Sequence, residues 1–499
     1  MSDDVDSDVI HTSLRSISRG ASIGFAGKLI STILGFVINL LLTRGLGAAL
    51  YGIYSYGKSI LSIILIFSQL GTGQSVMRFL PEYDDNINRQ NEVLGLAYFT
   101  ALVSSIIIGV ILYLLAPIVA KYTLGNPLLT DVLRILAIIL PFNTLANLSN
   151  KIFISIERIN YNVFVKDIIT PTLRIIFIGG ALLLGYSLLG VLAAVALASA
   201  VILIIALIVL FSKTQLRPTT NTSFNQKVEF YRFSVPLSLK DVGSTVQNRV
   251  DILMVGFFLT ESTVGIYRVA VLLSSVLVLP LGMFSQLFPP VASRLYANDE
   301  KQELESVYSI VTRWTLTIVL VPALSLIIYR QEILAIFGDE FTTGSVVVVF
   351  FAIAQITNSA VGPSGFILMM TDNQYLSLIN AWSMGILNIV LNYIFILEFG
   401  LVGAAMATAT VMAGINIIRI IEIWYVEDLF PYDLSFWKPL AAGTVVSIQM
   451  FALEILLDDY LLVAVGSISG FFLFCGLLIS FGIDPNDREF LNRIIEELF

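Results

Sequence analysis

Apolar runs of about 20 residues, separated by short polar segments, repeat along the whole chain, and a helix needs roughly that length to cross a bilayer. They can be placed near residues 22–43, 51–70, 94–116, 133–153, 163–184 and 188–211. A polar segment, SKTQLRPTTNTSFNQ at Ser212–Gln226, interrupts the series. Further runs follow near 233–259, 264–288, 311–329, 345–370, 376–397, 402–425, 439–457 and 461–481. The pattern predicts an all-α polytopic membrane protein with about fourteen transmembrane helices. The last residues, 487–499, place Phe490, Leu491, Ile494, Ile495 and Leu498 on one side and read as an interfacial anchor.

One run breaks the apolar rule. The stretch YRFSVPLSLKDVGSTVQNRVDILMVGFFLT, Tyr231–Thr260, carries Lys240, Asp241, Arg249 and Asp251 well inside its ends. Charges at membrane depth cost a few kcal/mol each and so face a wet cavity or a partner. Helical spacing puts Lys240, Ser244, Gln247 and Asp251 on one stripe, with Asp241, Thr245 and Arg249 on the next. A packing pair such as Asp241 with Arg249 is the plainer reading of any single charge, but four polar residues in register line a surface.

The chain also repeats itself. Gly52-Ile53-Tyr54 returns as Gly265-Ile266-Tyr267, a shift of 213 residues, and Phe67-Ser68-Gln69-Leu70 returns as Phe284-Ser285-Gln286-Leu287, a shift of 217. Ser187-Leu188-Leu189-Gly190 is echoed by Gly400-Leu401-Val402-Gly403, again at 213. Matches in the same order at a nearly constant shift indicate a duplication. Six spans per repeat give two parallel six-helix lobes, followed by two C-terminal helices. The expected organisation is an acidic cytoplasmic tail at 1–21, lobes at 22–212 and 227–426 joined by a cytoplasmic linker at 213–226, extra helices thirteen and fourteen within 427–482, and an amphipathic cytoplasmic tail at 483–499.

The repeat gives the first span the same stripe, since at a shift of 212 Lys28 falls on Lys240 and Asn39 on Asp251. Ser31 or Thr32 and Gly35 complete that stripe; Lys58, Ser62 and Gln69 share a face of the second span, with Arg44 before it, and Arg268 marks the eighth. Parallel-repeat transporters bind substrate near the midplane where the lobes meet. A cavity lined there by Lys28, Lys58, Lys240, Arg249 and Arg268 is expected to be cationic, with Asp241 and Asp251 opposing it. Lys166, Asp167 and Arg174 of the fifth span are expected to pair within their own helix. Pro171, Pro236, Pro280, Pro289, Pro322 and Pro363 mark kinks that are either hinges or static.

Composition narrows the class. The 499 residues are 57% hydrophobic and 13% charged, about half the charge of a soluble domain. Mean hydropathy is +0.88. A single cysteine, Cys475, and a single histidine, His11, exclude a disulfide framework and leave little for imidazole catalysis or a metal site. A net charge of −8 argues against nucleic-acid binding. Arginine and lysine collect at Arg15, Arg19, Arg78, Arg89, Lys151, Arg158, Lys213, Arg217, Lys227, Arg294, Lys301, Arg488 and Arg493 on one side, against Arg44, Lys121 and Arg330 on the other. That bias predicts cytoplasmic termini in a multi-pass protein of the cell membrane.

Taken with RGLGAALYGIYSYGKSI at Arg44–Ile60, RFLPEY at Arg78–Tyr83 and DILMVGFFLTESTVGIYRVA at Asp251–Ala270, this organisation resembles the polysaccharide-export or oligosaccharide flippase family (Wzx type) of the multidrug/oligosaccharidyl-lipid/polysaccharide transporter superfamily. The resemblance implies a flippase, not an enzyme, that turns a polyprenyl (undecaprenyl or dolichyl) phosphate- or pyrophosphate-linked oligosaccharide from the cytoplasmic to the outer face. The product would feed surface polysaccharide or protein glycan synthesis. It implies no cofactor, membrane lipids and the lipid-linked glycan as partners, and H+ or Na+ as a candidate coupling ion. By resemblance Arg44, Lys58, Arg249 and Arg268 would hold the phosphates, with Asp251 tuning them; Asn39 in the first lobe, where the second has Asp251, departs from a symmetric acidic role. Ser31, Ser62, Ser244, Gln247 and Asn248 offer sugar partners. A cation-coupled multidrug or small-solute exporter of the same fold is the alternative, and it would favour an acidic cavity. A glycan polymerase or glycosyltransferase would need a loop domain that the short polar segments do not supply.

Overall fold

The computed structural model describes the backbone of residues 2–219, 224–247, 249–457 and 459–482, and the side chains of residues 23–219, 226–238, 245, 249–285, 288–457 and 460–482. The expected anchor at 487–499 and the side chains of Lys240, Ser244 and Gln247 lie outside the described residues, as does Asn248. Among the described residues there are helices and no strands. The helices are α1 (Ser2–Gln69), α2 (Thr72–Glu82), α3 (Ile87–Tyr122), α4 (Leu128–Ser155), α5 (Ile159–Asn162), a π-helical segment (Val163–Ile169), α6 (Thr170–Leu183), α7 (Leu188–Lys213), α8 (Phe224–Gln247) and α9 (Val250–Phe258). They continue as α10 (Glu261–Ser275), α11 (Leu279–Ala297), α12 (Lys301–Ile328), α13 (Arg330–Ala335), α14 (Ser345–Val361), α15 (Ser364–Met370), α16 (Gln374–Glu427), α17 (Trp437–Glu454) and α18 (Asp459–Ser480).

Ten helical segments among the described residues are long and apolar enough to cross a membrane. The difference from about fourteen has a physical reason. The apolar part of α1 has 47 residues and α16 has 54, so at 1.5 Å per residue they would run about 70 and 80 Å, more than twice a hydrocarbon core. Each breaks in the middle, at Gly47 (φ 75°, ψ 172°) and at Gly400 (φ 58°, ψ −131°). Gly47 lies in a region closed to residues with a Cβ, so this site ends one span and starts the next. The fifth span is cut into shorter helices, and α8, 24 residues long, is too polar to count as an apolar crossing helix.

The breaks recur at the shift of the sequence repeat. Gly125 (φ 70°) and Gly338 (φ 136°) are 213 residues apart, and Glu157 (φ 57°) and Asp372 (φ 61°) are 215 apart. Ser187, extended at ψ −170°, precedes Gly400 by 213. The extended Leu259 ends α9 one residue short of the position 213 beyond Gly47. Turn geometry has therefore outlasted most of the side-chain identity between the repeats.

The chain forms two compact units, residues 1–264 and 265–499. In the first, α4 packs against α1, α2, α3 and α7. Its core joins Phe79, Leu94, Leu148, Ile152, Phe153, Val165, Leu210 and Phe230. Interhelical side-chain bonds supplement it: Ser68 Oγ and Thr144 Oγ1 are 2.7 Å apart, as are Tyr98 Oη and Ser149 Oγ, and Ser155 Oγ donates to the Val76 carbonyl at 3.1 Å. Buried Ala194, Ala198, Ser199 and Ala206 let the otherwise aliphatic α7 approach closely. Lipid-facing surface is plain on α3, where Phe99, Ile106, Ile107, Val110 and Leu114 are exposed. The linker after α7 lies on α3: Arg217 N–H donates to Asn91 Oδ1 at 2.6 Å and Thr219 N–H to the Asn91 carbonyl at 3.1 Å. Gly95 permits this, because a Cβ there would meet the Thr219 carbonyl.

In the second unit α14 packs on α12 and α16, and α17 on α12 and α18. Phe288, Tyr308, Ile367, Leu368 and Ile423 form a core there.

Candidate functional site

Three helical stripes converge inside the first unit. Ser31, Gly35 and Asn39 of α1 recur at four-residue spacing; Asn143, Asn147 and Asn150 of α4 recur at four and three; Lys166, Thr170 and Arg174 recur at four across the π-helical segment and α6. With Tyr54 and Lys58 from the second half of α1, they line one cavity of about 300 Å³.

The third stripe owes its shape to a local conflict. Pro171 has no N–H to give to the carbonyl four residues earlier. The turn before it widens to the π register over Val163–Ile169, and Thr170 Oγ1 donates to the Val165 carbonyl at 2.8 Å. Such bulges in α-helices often mark functional sites. Here the wide turn carries Lys166 and Asp167.

The electrostatics of the cavity are one-sided. Lys58, Lys166 and Arg174 line it, and no carboxylate does among the described residues. Lys58 Nζ stands 5.6 Å from the centre of the Tyr54 ring. Asn39 is fixed at both ends, its amide nitrogen donating to the Gly35 carbonyl and its oxygen accepting from Tyr51 Oη, each at 2.7 Å. Arg174 Nε and Asn150 Oδ1 have no hydrogen-bond partner among the described residues. Three basic groups around a polar void, with Arg174 Nε and Asn150 Oδ1 unspent among the described residues, have the chemistry to receive an anion bearing hydroxyl groups.

The residues expected from sequence are distributed as follows. Asn39 and Lys58 line this cavity. Lys28 is exposed on α1, within electrostatic reach of Asp167, which is 7% exposed and packs beside Gly27. Arg44 is exposed just before the break at Gly47. Arg249 caps α9 at the point where the charged stretch is interrupted, and Asp251 follows in the first turn, its Oδ1 accepting from the Ile252 N–H at 2.8 Å. A carboxylate there suits the positive end of the helix dipole. Arg268 is half-buried on α10, in the second unit.

Lys166 and Arg174, expected to pair with Asp167 within their helix, flank the cavity together, and among the described residues neither has an ion pair within 4.0 Å. Asn143, Asn147 and Asn150 were not anticipated. Their signal was present as three amides at helical spacing, beside Thr144, Ser149 and Lys151, in the fourth apolar run.

A second polar cavity of about 210 Å³ shares Asn147, Asn150 and Lys166 with the first and extends to Thr72, Lys151 and Asn162. The second unit contains an apolar cavity of about 630 Å³, walled by residues such as Leu277, Ile318, Val321, Phe471 and Phe474.

This many-helix membrane fold is shared with known transporters. It aligns with a structure described as "Lipid II flippase MurJ, inward closed conformation", with a TM-score of 0.71, 16% identity, and coverage of 92% of this chain and 98% of that one. It aligns also with an inward-facing multidrug resistance MATE family transporter of the MOP superfamily, with a TM-score of 0.61, 15% identity, and coverage of 82% and 99%. Residues 17–295 match the family model of the polysaccharide biosynthesis proteins, and the chain belongs to that family. It is 31% identical to the probable low-salt glycan biosynthesis flippase Agl15 of Haloferax volcanii over 189 residues, 38% of this chain. The chain thus spans 40% of the length of the curated relative it matches.

Proposed function

We propose that the protein is a flippase for a polyprenyl-phosphate- or polyprenyl-pyrophosphate-linked oligosaccharide. It moves this lipid from the cytoplasmic to the outer face of the cell membrane for surface polysaccharide or protein glycan synthesis. The observation that carries this reading is the cavity lined by Lys58, Lys166 and Arg174 with no carboxylate among the described residues. Family membership and the flippase relative agree with it. An anionic head must cross about 30 Å of hydrocarbon, and basic groups in a wet cleft supply the compensation. The apolar cavity of the second unit suits an isoprenoid chain. Coupling to H+ or Na+ belongs to the same reading, with Asp251 as the candidate ion site and Arg249 and Arg268 as further phosphate contacts.

The alternative, a cation-coupled multidrug exporter, would bring cationic drugs into a basic cavity. The protein acts here as a transporter without a catalytic step, and both termini are cytoplasmic. In a Cys475→Ser background, Asn160→Cys should label only from the cytoplasm and Lys121→Cys only from outside, since both side chains are exposed; labelling of both from one side would reverse the topology.

The functional test is translocation of a fluorescent polyprenyl-pyrophosphoryl sugar in proteoliposomes. Arg174→Ala should slow it at least tenfold, because a charge-assisted bond contributes about 1.5–3 kcal/mol. Arg174→Lys should retain more, keeping the charge while losing the fork. Equal transport by wild type and Arg174→Ala would remove the phosphate role.

A further inference from the structure

The second polar cavity shares Lys166, Asn147 and Asn150 with the first and has polar groups of its own that the phosphate reading does not use. It lies where α1 ends, α2 begins, and α4 meets the π-helical segment. Asn150 and Asn162 line it and are 7% and 9% exposed, and Thr72, also lining it, is 1% exposed. Asn150 Oδ1, Asn162 Oδ1 and Thr72 Oγ1 have no hydrogen-bond partner among the described residues. Buried polar atoms are paired in the great majority of folded proteins, so three orphans around one void need an explanation. Two of the three are acceptors alone, and the hydroxyl can turn to accept. The terminal torsion of asparagine is broad, so each amide can present its oxygen to the void at small cost. What is missing is a set of closely spaced donors.

We propose that this cavity is a sugar subsite of the flippase, taking the hydroxyl groups of the first sugar of the lipid-linked glycan. The proposal rests on the flippase reading given above. A pyranose offers several hydroxyl donors on a ring of a few ångströms, and about 210 Å³ accommodates one such ring. Lys166, Asn147 and Asn150 line both cavities. A pyrophosphate against Lys58, Lys166 and Arg174 therefore leaves the adjoining sugar at Asn150, Asn162 and Thr72. Lys151, at the far wall, adds a donor for a ring substituent. The phosphates supply affinity common to every substrate, and this cavity distinguishes a glycosylated carrier from a bare one. A transporter with that distinction would not return its sugar-free carrier by the same route.

The test is equilibrium binding of purified full-length protein to two probes, short-chain polyprenyl pyrophosphate and the same lipid bearing one hexose. Wild type should bind the hexose-bearing probe at least tenfold more tightly. Thr72→Val/Asn162→Ala, at two positions that line the second cavity and not the first, should lose that preference and keep its affinity for the bare lipid. Thr72→Val, which preserves the side-chain shape, should reduce the preference about threefold. Unchanged affinity for the bare lipid shows that the double variant is folded. A wild type that binds both probes equally would overturn the sugar subsite and leave the flippase reading intact, as would a variant that weakens both probes alike. A wild type that binds neither probe would overturn the flippase reading and this proposal with it.

Discussion

The repeated halves of the chain break their helices at matching positions, and one matched pair of polar positions is used in two different ways. At a shift of 214, Lys166 and Arg174 of the first unit fall on Asn380 and Asn388 of the second. The first pair flanks a cavity without a carboxylate among its described lining. The second pair is tied into protein: Asn380 Nδ2 donates to Glu422 Oε2 at 2.5 Å, and Asn388 Oδ1 accepts from Asn392 Nδ2 at 3.1 Å. Nearby, Asn373 Nδ2 donates to Glu427 Oε1 at 2.6 Å, and Arg313, 4% exposed, pairs with Asp433 at 2.6 Å. Where the first unit keeps a basic polar void, the second keeps an apolar one. The places where helices break thus recur along the chain, while the side chains at matched positions differ. At these matched positions the first unit has side chains that line a cavity, and the second has side chains bonded to neighbouring side chains.

That division predicts two kinds of failure. The largest effect is expected from Lys166→Ala/Arg174→Ala, which should reduce translocation at least hundredfold while leaving the melting temperature nearly unchanged. Two charge-assisted contacts at about 1.5–3 kcal/mol each set that scale. Asp433→Ala should do the reverse. It takes the carboxylate away from a buried guanidinium, at a cost of about 3 kcal/mol, so thermal unfolding should come several degrees earlier, with transport per folded molecule preserved. Asn39→Ala should give an intermediate, mixed result. It leaves the fully buried Tyr51 hydroxyl without its acceptor, which costs about 1–3 kcal/mol and shifts both melting and transport. Arg158→Ala, an exposed loop arginine, should change neither by more than about 0.5 kcal/mol. Loss of transport in Asp433→Ala at full stability would break the division between the units.

The membrane class, the all-helical fold and the duplication were legible because periodicity and local repeats carry them. The stripe rule singles out Asn39 and Lys58, two of the residues that line the cavity, since one helix face can be read from spacing alone. It undervalued Lys166 and Arg174, whose separation of eight residues also fits a pair of turns facing the same neighbour. What brings them to the cavity is the π-helical segment before Pro171, and a widened turn of that kind leaves no mark in hydropathy. The amides of α4 were overlooked for a simpler reason. Uncharged residues in an apolar run draw no attention until a neighbouring helix supplies the charges they surround. The splitting of α1 at Gly47 was legible only in outline, because an apolar run shows its length and not the φ angle at which it turns.

The most direct measurement is the affinity of purified protein for short-chain polyprenyl pyrophosphate, compared between Lys166→Ala/Arg174→Ala and Asn380→Ala/Asn388→Ala at matched folded concentration. The first variant should bind at least hundredfold more weakly than wild type, and the second should bind within about twofold of it. Equal loss in both, or loss confined to the second, would contradict the assignment of the anionic head to the cavity of the first unit.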